Sequence, residues 1–241
     1  MNYALIFAGG VGRRMNTRAL PKQFLEIHGK PIIIHTIEHF STHREIDAIC
    51  VVCVSEWLDY MKELLEKFNV KKVKWVVAGG SSALESQYNG LRAICGSEEY
   101  QENDIVLIHD GVRPLIDEKL ITDCIQGVQQ YGSAITVAPA IETIIRTDEE
   151  NRVTDTVERS QCKLARAPQS FRIGQILKVH EAARKDGNLQ FVDSASMMLH
   201  YGYPLHTVDG PSENIKVTNP ADFYICRALL DAKENSQVFG I

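Results

Sequence analysis

The hydrophobic residues of this chain fall into short apolar runs that alternate with amphipathic segments. The runs have the length of buried strands, and apolar positions three and four residues apart in the segments between them predict helices. Strands are predicted at 4–8, 24–27, 48–54, 73–77, 105–108, 134–138 and 205–208. Helices are predicted at 31–40, 57–68, 82–95, 120–128, 172–186 and 193–201, and from 219 onward. This alternation is typical of an α/β protein whose mostly parallel, twisted sheet has helices on both faces.

Residues 140–160 depart from the alternation because they are polar and contain no helical pattern. The segments 141–146 and 152–157 flank a turn-like sequence, so we predict an antiparallel hairpin. The hairpin would protrude as an arm from a single domain that spans residues 1–241. Such an arm often makes a contact between subunits; the alternative is a surface hairpin with no partner.

Composition and charge narrow the class of protein. The 241 residues are 44% hydrophobic and 24% charged, as in ordinary soluble globular proteins. The formal net charge of −5 disfavours bulk nucleic-acid binding, which needs a basic face. No apolar run approaches the length that spans a bilayer, and the N-terminal apolar stretch precedes its basic residues, opposite to a signal peptide. We therefore expect a cytoplasmic protein that binds neither nucleic acid nor membrane.

Six cysteines are scattered along the chain, and two of them form a C-x-x-C motif. Cys50 and Cys53 lie within a predicted strand, where residues three apart point to opposite faces. Redox-active pairs with this spacing are found at the start of a helix instead. We therefore interpret both as packing residues.

A glycine-rich loop with a basic cluster follows the first predicted strand. Residues 9–12 read Gly-Gly-Val-Gly, and Arg14 and Lys22 follow. Glycines let backbone N–H groups approach a ligand closely, and such a concave row with Arg and Lys nearby suits a phosphate chain. The dinucleotide fingerprint requires a glycine where Met15 stands, and the Gly-Lys-Ser/Thr of a Walker loop is absent. The loop is therefore predicted to bind a nucleoside triphosphate.

Asp110 lies just beyond the predicted strand 105–108, at the sheet edge where the glycine-rich loop also emerges. Ligands of open α/β sheets bind outside the carboxyl ends of the strands. A carboxylate that faces phosphates there is the expected Mg²⁺ ligand. In the alternative interpretation, Asp110 caps the following turn and pairs with Arg113. We interpret the neighbouring His109 as a packing or orienting residue.

Lys216 interrupts an otherwise apolar stretch, Ile215 to Val217. A buried lysine needs a partner, and a phosphate would serve. The alternative is a solvated lysine at a strand end.

Five sequence blocks occur in an order that resembles one enzyme family. The blocks are AGGVGRRM at 8–15, PKQFL at 21–25, HDGVRP at 109–114, APQSF at 167–171 and NIKVT at 214–218. Together they resemble the cytidylyltransferases that act on polyol phosphates, and the similarity covers nearly the whole chain. Two branches are close: 2-C-methyl-D-erythritol 4-phosphate cytidylyltransferase of isoprenoid synthesis, and ribitol-5-phosphate cytidylyltransferase of teichoic-acid and capsule synthesis.

The resemblance implies a Rossmann-like nucleotidyltransferase fold and a role for individual residues. The catalytic cations would be Arg14, Lys22, Arg159 and Lys216. The nucleotide would contact Ala8, Gly9, Gly10, Val11, Gly12, Gly80, Ser86 and Asp110, with Asp110 also holding Mg²⁺. The acceptor would contact Thr143, Arg159 and Arg113. Thr143 and Arg159 would reach the partner subunit of a homodimer through the 140–160 arm.

Some positions depart from the family pattern or separate its branches. Ala83 stands where the family usually has Arg, and Ala167, preceded by Arg166, stands where Thr is common. Both changes bear on substrate identity more than on chemistry. Gly9, Phe24 and Val112 favour the ribitol-phosphate branch.

The reaction implied is attack of a polyol phosphate on the α-phosphorus of CTP, which expels pyrophosphate. Ribitol 5-phosphate is the favoured acceptor, and methylerythritol phosphate is the alternative. Proteins of two other classes are the alternatives. A nucleotide-binding module without catalysis is disfavoured by the retained cations, and an NAD-dependent dehydrogenase is disfavoured by Met15.

Overall fold

The structure, a computed structural model, describes residues 1–8 and 20–239, the last four of these as backbone only. The strands are β1 (Asn2–Ala8), β2 (Glu26–Ile27), β3 (Lys30–Pro31), β4 (Ala48–Cys53), β5 (Val73–Ala78), β6 (Ile105–Asp110), β7 (Ser133–Pro139), β8 (Ile144–Thr147), β9 (Val153–Val157), β10 (Lys163–Arg172) and β11 (Thr207–Asp209). The α-helices are α1 (Ile32–Thr42), α2 (Leu58–Lys67), α3 (Ala83–Cys95), α4 (Glu118–Tyr131), α5 (Ile173–Lys185), α6 (Ser194–His200) and α7 (Pro220–Phe239). Short 3₁₀ turns lie at Lys22–Phe24, Ser55–Trp57 and Arg159–Gln161.

The main sheet has seven strands in the order β11-β7-β10-β6-β1-β4-β5. Strands β6, β1, β4 and β5 are parallel neighbours, and β11 pairs in parallel with β7. Strand β10 is antiparallel to both of its neighbours, β6 and β7. The predicted mostly parallel sheet is therefore confirmed, with one antiparallel strand inside it.

Strand β10 is the main element that the hydrophobic pattern does not predict. Its first half is exposed and its second half is buried, so it carries no regular alternation. Its pairing with β7 shifts register between Ala165 and Gln169, and Pro168 lies within that shift. A proline inside a run argues against a central strand except at a bulge, which is where this one lies.

Two smaller predictions need correction near the start of the chain. Residues Lys22–Phe24 form a 3₁₀ turn, so only Glu26–Ile27 of the predicted extended piece 24–27 is a strand. Pro31 is the residue before α1 rather than its first helical residue.

Apolar side chains fill both faces of the sheet. Helices α1, α2 and α4 pack on one face, and α3, α5 and α6 pack on the other. Cys50 faces the second layer and Cys53 the first, which confirms that the two thiols point apart. All six cysteines are free, and burial raises the pKa of Cys50 to about 12 and that of Cys53 to about 11. Both are packing residues, as the pattern predicts.

The predicted hairpin is present as β8 and β9, which pair antiparallel outside the main sheet. Its side chains are largely exposed, and they include Ile145 and Val153. Contact of this arm with another subunit stays a prediction. Within the described ranges, no helix is both long and apolar enough to cross a membrane.

Candidate functional site

Four of the five sequence blocks have described residues at the edge where the parallel strands end. They are PKQFL, HDGVRP, APQSF and NIKVT. Strands β1 and β6 are adjacent and parallel, with Phe7 paired to Asp110, so their carboxyl ends lie side by side. The N–H of Gly111 donates to the carbonyl oxygen of Phe7 at 2.9 Å and closes this edge. The loop 9–19 lies outside the described residues, so the predicted roles of Gly9, Gly10, Val11, Gly12 and Arg14 have no structural account here.

Asp110 is held between two cations at the end of β6. Its Oδ1 lies 2.6 Å from Nζ of Lys216, and its Oδ2 lies 2.8 Å from Nε of Arg113. Burial by itself would raise the pKa of this carboxyl, but the charges of Lys216 and Arg113 outweigh that effect and lower the pKa. Asp110 is therefore a carboxylate at neutral pH. The pairing with Arg113 follows the alternative interpretation of Asp110, and its role as a metal ligand stays a prediction.

The side chain of Lys216 is 40% exposed, but its ammonium group forms an ion pair with Asp110. It is therefore not simply a solvated lysine. His109 is fully buried against the ring of Phe40, and its Nε2 lies 3.1 Å from the carbonyl oxygen of Arg113. Burial lowers the pKa of His109 to about 4. The imidazole is neutral and holds the turn that carries Arg113, which confirms a packing and orienting role.

Lys22 lies at the same edge, and hydrogen bonds fix the turn that carries it. Its Nζ donates to the carbonyl oxygen of Val217 at 2.9 Å. The buried side chain of Gln23 donates to the carbonyl oxygen of Ala8, the last residue of β1, at 3.0 Å. The N–H of Val217 in turn donates to the carbonyl oxygen of Val112 at 3.0 Å. The blocks that contain Lys22, Asp110 and Lys216 are therefore joined directly to one another.

Gly80 and Ser86 lie beyond the carboxyl end of β5. Ser86 is buried, and its Oγ accepts from the N–H of Gly80 at 3.1 Å and donates to the carbonyl oxygen of Ser82 at 2.9 Å. A Cβ on Gly80 would lie 2.1 Å from Cγ of Glu85, so a larger residue would displace that side chain. Ser86 shapes the turn between β5 and α3, and its contact with a nucleotide stays a prediction.

A cavity of about 220 Å³ opens between this edge and strand β10. Its polar lining comes from Asp110, Arg113, Lys216, Arg166, Gln169 and Asp193, with Gln87 beside them. Drug-sized ligands occupy pockets of roughly 300–1,000 Å³, so this cavity suits a small molecule or one part of a larger one. Ala83 and Ala167, the two positions that depart from the family pattern, also line it.

The β10 wall of the cavity contains residues for which the sequence predicts no role in the site. Nε2 of Gln169 donates to Oδ2 of Asp193 at 2.8 Å, and its Oε1 accepts from the N–H of Ala195 at 2.9 Å. Oδ1 of Asp193 accepts from the N–H of Ser196 and caps α6. The available signals were Gln169 within the APQSF block and the capping-box pattern around Asp193.

Asn214 joins this wall to the ion pairs of Asp110. It is fully buried, its Nδ2 donates to the carbonyl oxygen of Ala167 at 2.6 Å, and its own carbonyl oxygen accepts from Nη1 of Arg113 at 2.8 Å. Arg113 is thereby fixed by two acceptors. Its predicted contact with the acceptor is compatible with its place in the cavity lining.

Thr143 and Arg159 lie on the arm, away from this cavity within the chain. Both are exposed, and Nη1 of Arg159 donates to the carbonyl oxygen of Ile141 at 3.0 Å. Neither residue lines the cavity. Their predicted roles depend on a second subunit and stay predictions.

The donor set fits a magnesium ion that is bound together with a nucleotide. The described part of the chain holds no group of three or more His, Cys, Asp or Glu side chains placed to bind a metal. Mg²⁺ is usually held by one or two carboxylates together with substrate phosphates and water. The ionised Asp110 supplies one such carboxylate.

Comparison with known proteins agrees with this geometry. The family described as IspD, 2-C-methyl-D-erythritol 4-phosphate cytidylyltransferase, matches residues 3–232. Over 240 residues the chain is 52% identical to a ribitol-5-phosphate cytidylyltransferase of Vibrio parahaemolyticus, with both chains covered completely. It is 50% identical over 242 residues to a ribitol-5-phosphate cytidylyltransferase of Streptococcus agalactiae serotype V, again with complete coverage.

A solved structure shows the same fold. The crystal structure of 4-diphosphocytidyl-2C-methyl-D-erythritol synthase from Anaerococcus prevotii superposes with a TM-score of 0.82 at 26% identity, covering 95% of this chain and 96% of that one. The family match spans all five sequence blocks, and the resemblance and the predicted nucleotidyltransferase fold are confirmed. The chain therefore belongs to the 2-C-methyl-D-erythritol 4-phosphate cytidylyltransferase (IspD) family of cytidylyltransferases.

Proposed function

We propose that this chain transfers the cytidylyl group of CTP to ribitol 5-phosphate and forms CDP-ribitol and pyrophosphate. The observation that carries the proposal is complete-length identity of 50–52% to relatives named ribitol-5-phosphate cytidylyltransferase. Identity to the methylerythritol-type structure is 26%. Charged groups suited to phosphate chemistry, Lys22, Lys216 and Arg113, support the same reaction class from the geometry.

In the reaction, a phosphate oxygen of the acceptor forms a bond to the α-phosphorus of CTP. The bond from the α-phosphorus to the oxygen that bridges to the β-phosphate breaks, and pyrophosphate leaves with that electron pair. The nucleophile is already an anion, so the protein need not remove a proton from it. Its contribution is to position two anions and to stabilise the charge that develops on the α-phosphoryl and leaving groups.

We assign the cations of the site to different phosphate groups. Lys22 lies on a turn that Gln23 joins to the end of β1, and in the sequence it follows the glycine-rich segment that should hold the triphosphate. Arg14, within that loop, is assigned the same role from the sequence alone. Lys216 and Arg113 lie on the other side, against Asp110, where they would offset the repulsion between acceptor and nucleotide.

The proposal also includes a metal ion, a homodimer and a location. Asp110 would hold Mg²⁺, which neutralises charge on phosphate oxygens when it is bound. The hairpin of β8 and β9 would join two subunits in a homodimer and bring Thr143 and Arg159 to the partner's site. The six free cysteines suit a reducing compartment, so we place the protein in the cytoplasm, where it would serve the synthesis of a ribitol-containing cell-wall or capsule polymer.

Methylerythritol phosphate is the second candidate acceptor because the family that matches is described by that activity. The two acceptors differ by a methyl branch and by the length of the polyol. A difference of this size is usually worth roughly 10- to 200-fold in kcat/KM.

Pyrophosphate release with CTP, Mg²⁺ and each acceptor in parallel separates the candidates. We expect kcat/KM for ribitol 5-phosphate to exceed that for 2-C-methyl-D-erythritol 4-phosphate by about tenfold or more. The reverse order would assign the chain to the isoprenoid branch. Absence of pyrophosphate with every polyol phosphate would favour a nucleotide-binding module without catalysis. Loss of turnover with EDTA and its return with Mg²⁺ would support the metal.

Lys22→Ala tests the assignment of the cation beside β1. Removal of one stabiliser of transition-state charge costs about 3 kcal/mol, so kcat should fall roughly a hundredfold or more. Lys62→Ala is the matched control because Lys62 is exposed on α2 and, among the described residues, forms its ion pair with the exposed Asp59. Circular dichroism should show that both variants are folded. A kcat for Lys22→Ala within about threefold of the wild type would mean that Lys22 does not act on the reacting phosphates.

A further inference from the structure

Arg166 is a half-buried cation in the wall of the cavity that faces Asp110. It lies on β10, three residues before Gln169, and projects into the same space as Arg113 and Lys216. The family resemblance implies no role for Arg166, which directly precedes Ala167.

Neither of the two carboxylates that line the cavity forms an ion pair with Arg166. Asp110 forms ion pairs with both Arg113 and Lys216. The other carboxylate of the lining, Asp193, is engaged by Gln169 and by the first turn of α6. Arg166 forms no ion pair with any residue that the structure describes. The cavity therefore holds one cation more than its carboxylates balance.

The pKa of Arg166 responds to its burial and to the charges around it. Burial lowers the pKa of Arg166, and the nearby charge of Arg113 lowers it further, while Glu213 acts in the opposite direction. The guanidinium nevertheless stays charged, because arginine is effectively always protonated in proteins. A bound anion would relieve the repulsion between Arg166 and Arg113.

Most hydrogen-bond donors of Arg166 are available to a ligand. Its Nη1 donates to the carbonyl oxygen of Ser212 at 2.9 Å, which holds the side chain in place. A guanidinium carries five N–H donors in a planar fork that matches the oxygens of a phosphate. A side chain that is fixed at one nitrogen and open at the others can bind such an anion without first becoming ordered.

The position of β10 indicates which substrate Arg166 meets. Strand β6 and Asp110 lie at the centre of the site, with β1 on one side and β10 on the other. The glycine-rich segment that is expected to bind the triphosphate follows β1 in the sequence, so we expect the triphosphate on the β1 side. The β10 side is therefore expected to face the second substrate. Hydrogen bonds from Asn214 to Ala167 and from Arg113 to Asn214 connect β10 to the ion pairs of Asp110.

We propose that Arg166 binds the phosphate of the acceptor, so that it orients the attacking phosphate and restricts the site to phosphorylated polyols. The proposal rests on the proposed function, because an acceptor with a phosphate is required for it. In this role, Arg166 is a substrate-binding residue on the β10 side of the cavity, across β6 from β1.

Steady-state pyrophosphate release from Arg166→Ala and Arg166→Lys, with each substrate varied in turn, tests the proposal. Loss of charge-assisted hydrogen bonds to one phosphate should raise KM for ribitol 5-phosphate about 10- to 100-fold. KM for CTP should change less than about threefold, since the nucleotide lies on the other side. Arg166→Lys should fall between the wild type and Arg166→Ala, because lysine restores the charge without the planar fork.

Arg172→Ala is the matched control. Arg172 lies on the same strand and also donates to backbone carbonyl oxygens, those of Asn103 and Gln129, but it is not part of the cavity lining. It should leave both KM values near those of the wild type. Unchanged KM for ribitol 5-phosphate in Arg166→Ala, or an equal rise in KM for CTP, would overturn the proposal.

A binding measurement separates failure of this proposal from failure of the proposed function. Thermal unfolding is followed for the wild type and Arg166→Ala with ribitol 5-phosphate or with unphosphorylated ribitol. We expect ribitol 5-phosphate to stabilise only the wild type, and ribitol to stabilise neither protein. If the wild type is stabilised but releases no pyrophosphate, the proposed function fails and the binding role of Arg166 stands. Equal stabilisation of both proteins, or of neither, would overturn the role of Arg166.

Discussion

Replacement of Asp110 by asparagine keeps the shape of a buried side chain and removes its charge. Two cations would lose their partner: Lys216, whose Nζ lies 2.6 Å from Oδ1, and Arg113, whose Nε lies 2.8 Å from Oδ2. Asparagine still offers one oxygen that can accept a hydrogen bond, but its nitrogen would face a cation. The variant therefore isolates the contribution of the carboxylate to the stability of this edge.

The size of the effect follows from the exposure of the two cations. At an effective dielectric constant near 20, each pair has a Coulomb energy of about 6 kcal/mol, most of which is offset by the desolvation of the charges. What remains is the cost of leaving Arg113, 13% exposed, without a counter-charge. Loss of one partner from a buried pair costs about 3–5 kcal/mol. Lys216 is 40% exposed and can regain water, so we expect the lower end, about 3 kcal/mol.

Thermal and urea unfolding at pH 7 without ligands measure this quantity. A loss of about 3 kcal/mol corresponds to a fall in Tm of roughly 6–12 °C for a chain of this length. Asp209→Asn is the control, because Asp209 is 78% exposed and lies 2.7 Å from Nζ of Lys163, a separation similar to those of Asp110. That exposed pair should contribute less than about 1 kcal/mol. If Asp110→Asn proved as stable as Asp209→Asn, the expected loss of about 3 kcal/mol would be refuted. Burial of the ion pairs of Asp110 would then have no energetic consequence.

Two further predictions concern the protein away from the site. Burial, followed by the charge of Arg184, lowers the pKa of His180 to about 4, so from about pH 6.5 downward the unfolded chain takes up a proton that the folded chain does not. Stability from the neutral imidazole is therefore complete above pH 6.5 and lost towards pH 4. His180 should account for about 2 kcal/mol of the stability that the wild type loses between pH 7 and pH 5 in urea unfolding, and His180→Leu should lose about that much less. A Cβ on Gly90 would lie 2.8 Å from Cδ1 of Leu5 and from Cγ2 of Val52, so Gly90→Ala should push α3 from the sheet. The overpacking, reduced by the higher helix propensity of alanine, should lower the free energy of unfolding by about 1–2 kcal/mol, and a variant as stable as the wild type would show that Leu5 can move aside at no cost.

The sequence predicts those parts of the fold whose apolar pattern is regular. Strands β1, β4 and β6 are continuous buried runs, and the helices between them have one apolar face each. Strand β10 is different because it is exposed at Lys163 and buried at Phe171, with Pro168 at a register shift. Pairing with two neighbours, rather than local preference, determines that it is a strand.

The site divides in the same way. Asp110 lies where the sequence places it, at the carboxyl end of β6, and Lys22 and Lys216 contact one another's segments at the same edge. The second wall of the cavity is less visible in the sequence, because Arg166 and Asp193 belong to no phosphate motif. Hydrogen bonds across long sequence separations bring them to the site, as from Asn214 to Ala167 and from Gln169 to Asp193.

By itself, therefore, the sequence determines the α/β alternation, the family and the motif residues Lys22, Asp110 and Lys216. Local periodicity and short blocks carry that information, since each depends on neighbours a few residues apart. Only the tertiary structure decides that Asp110 is shared by Arg113 and Lys216, and that β10 adds a further cation opposite them. Those features depend on which strands lie side by side, and the balance of charge within a cavity is a property of all its walls together.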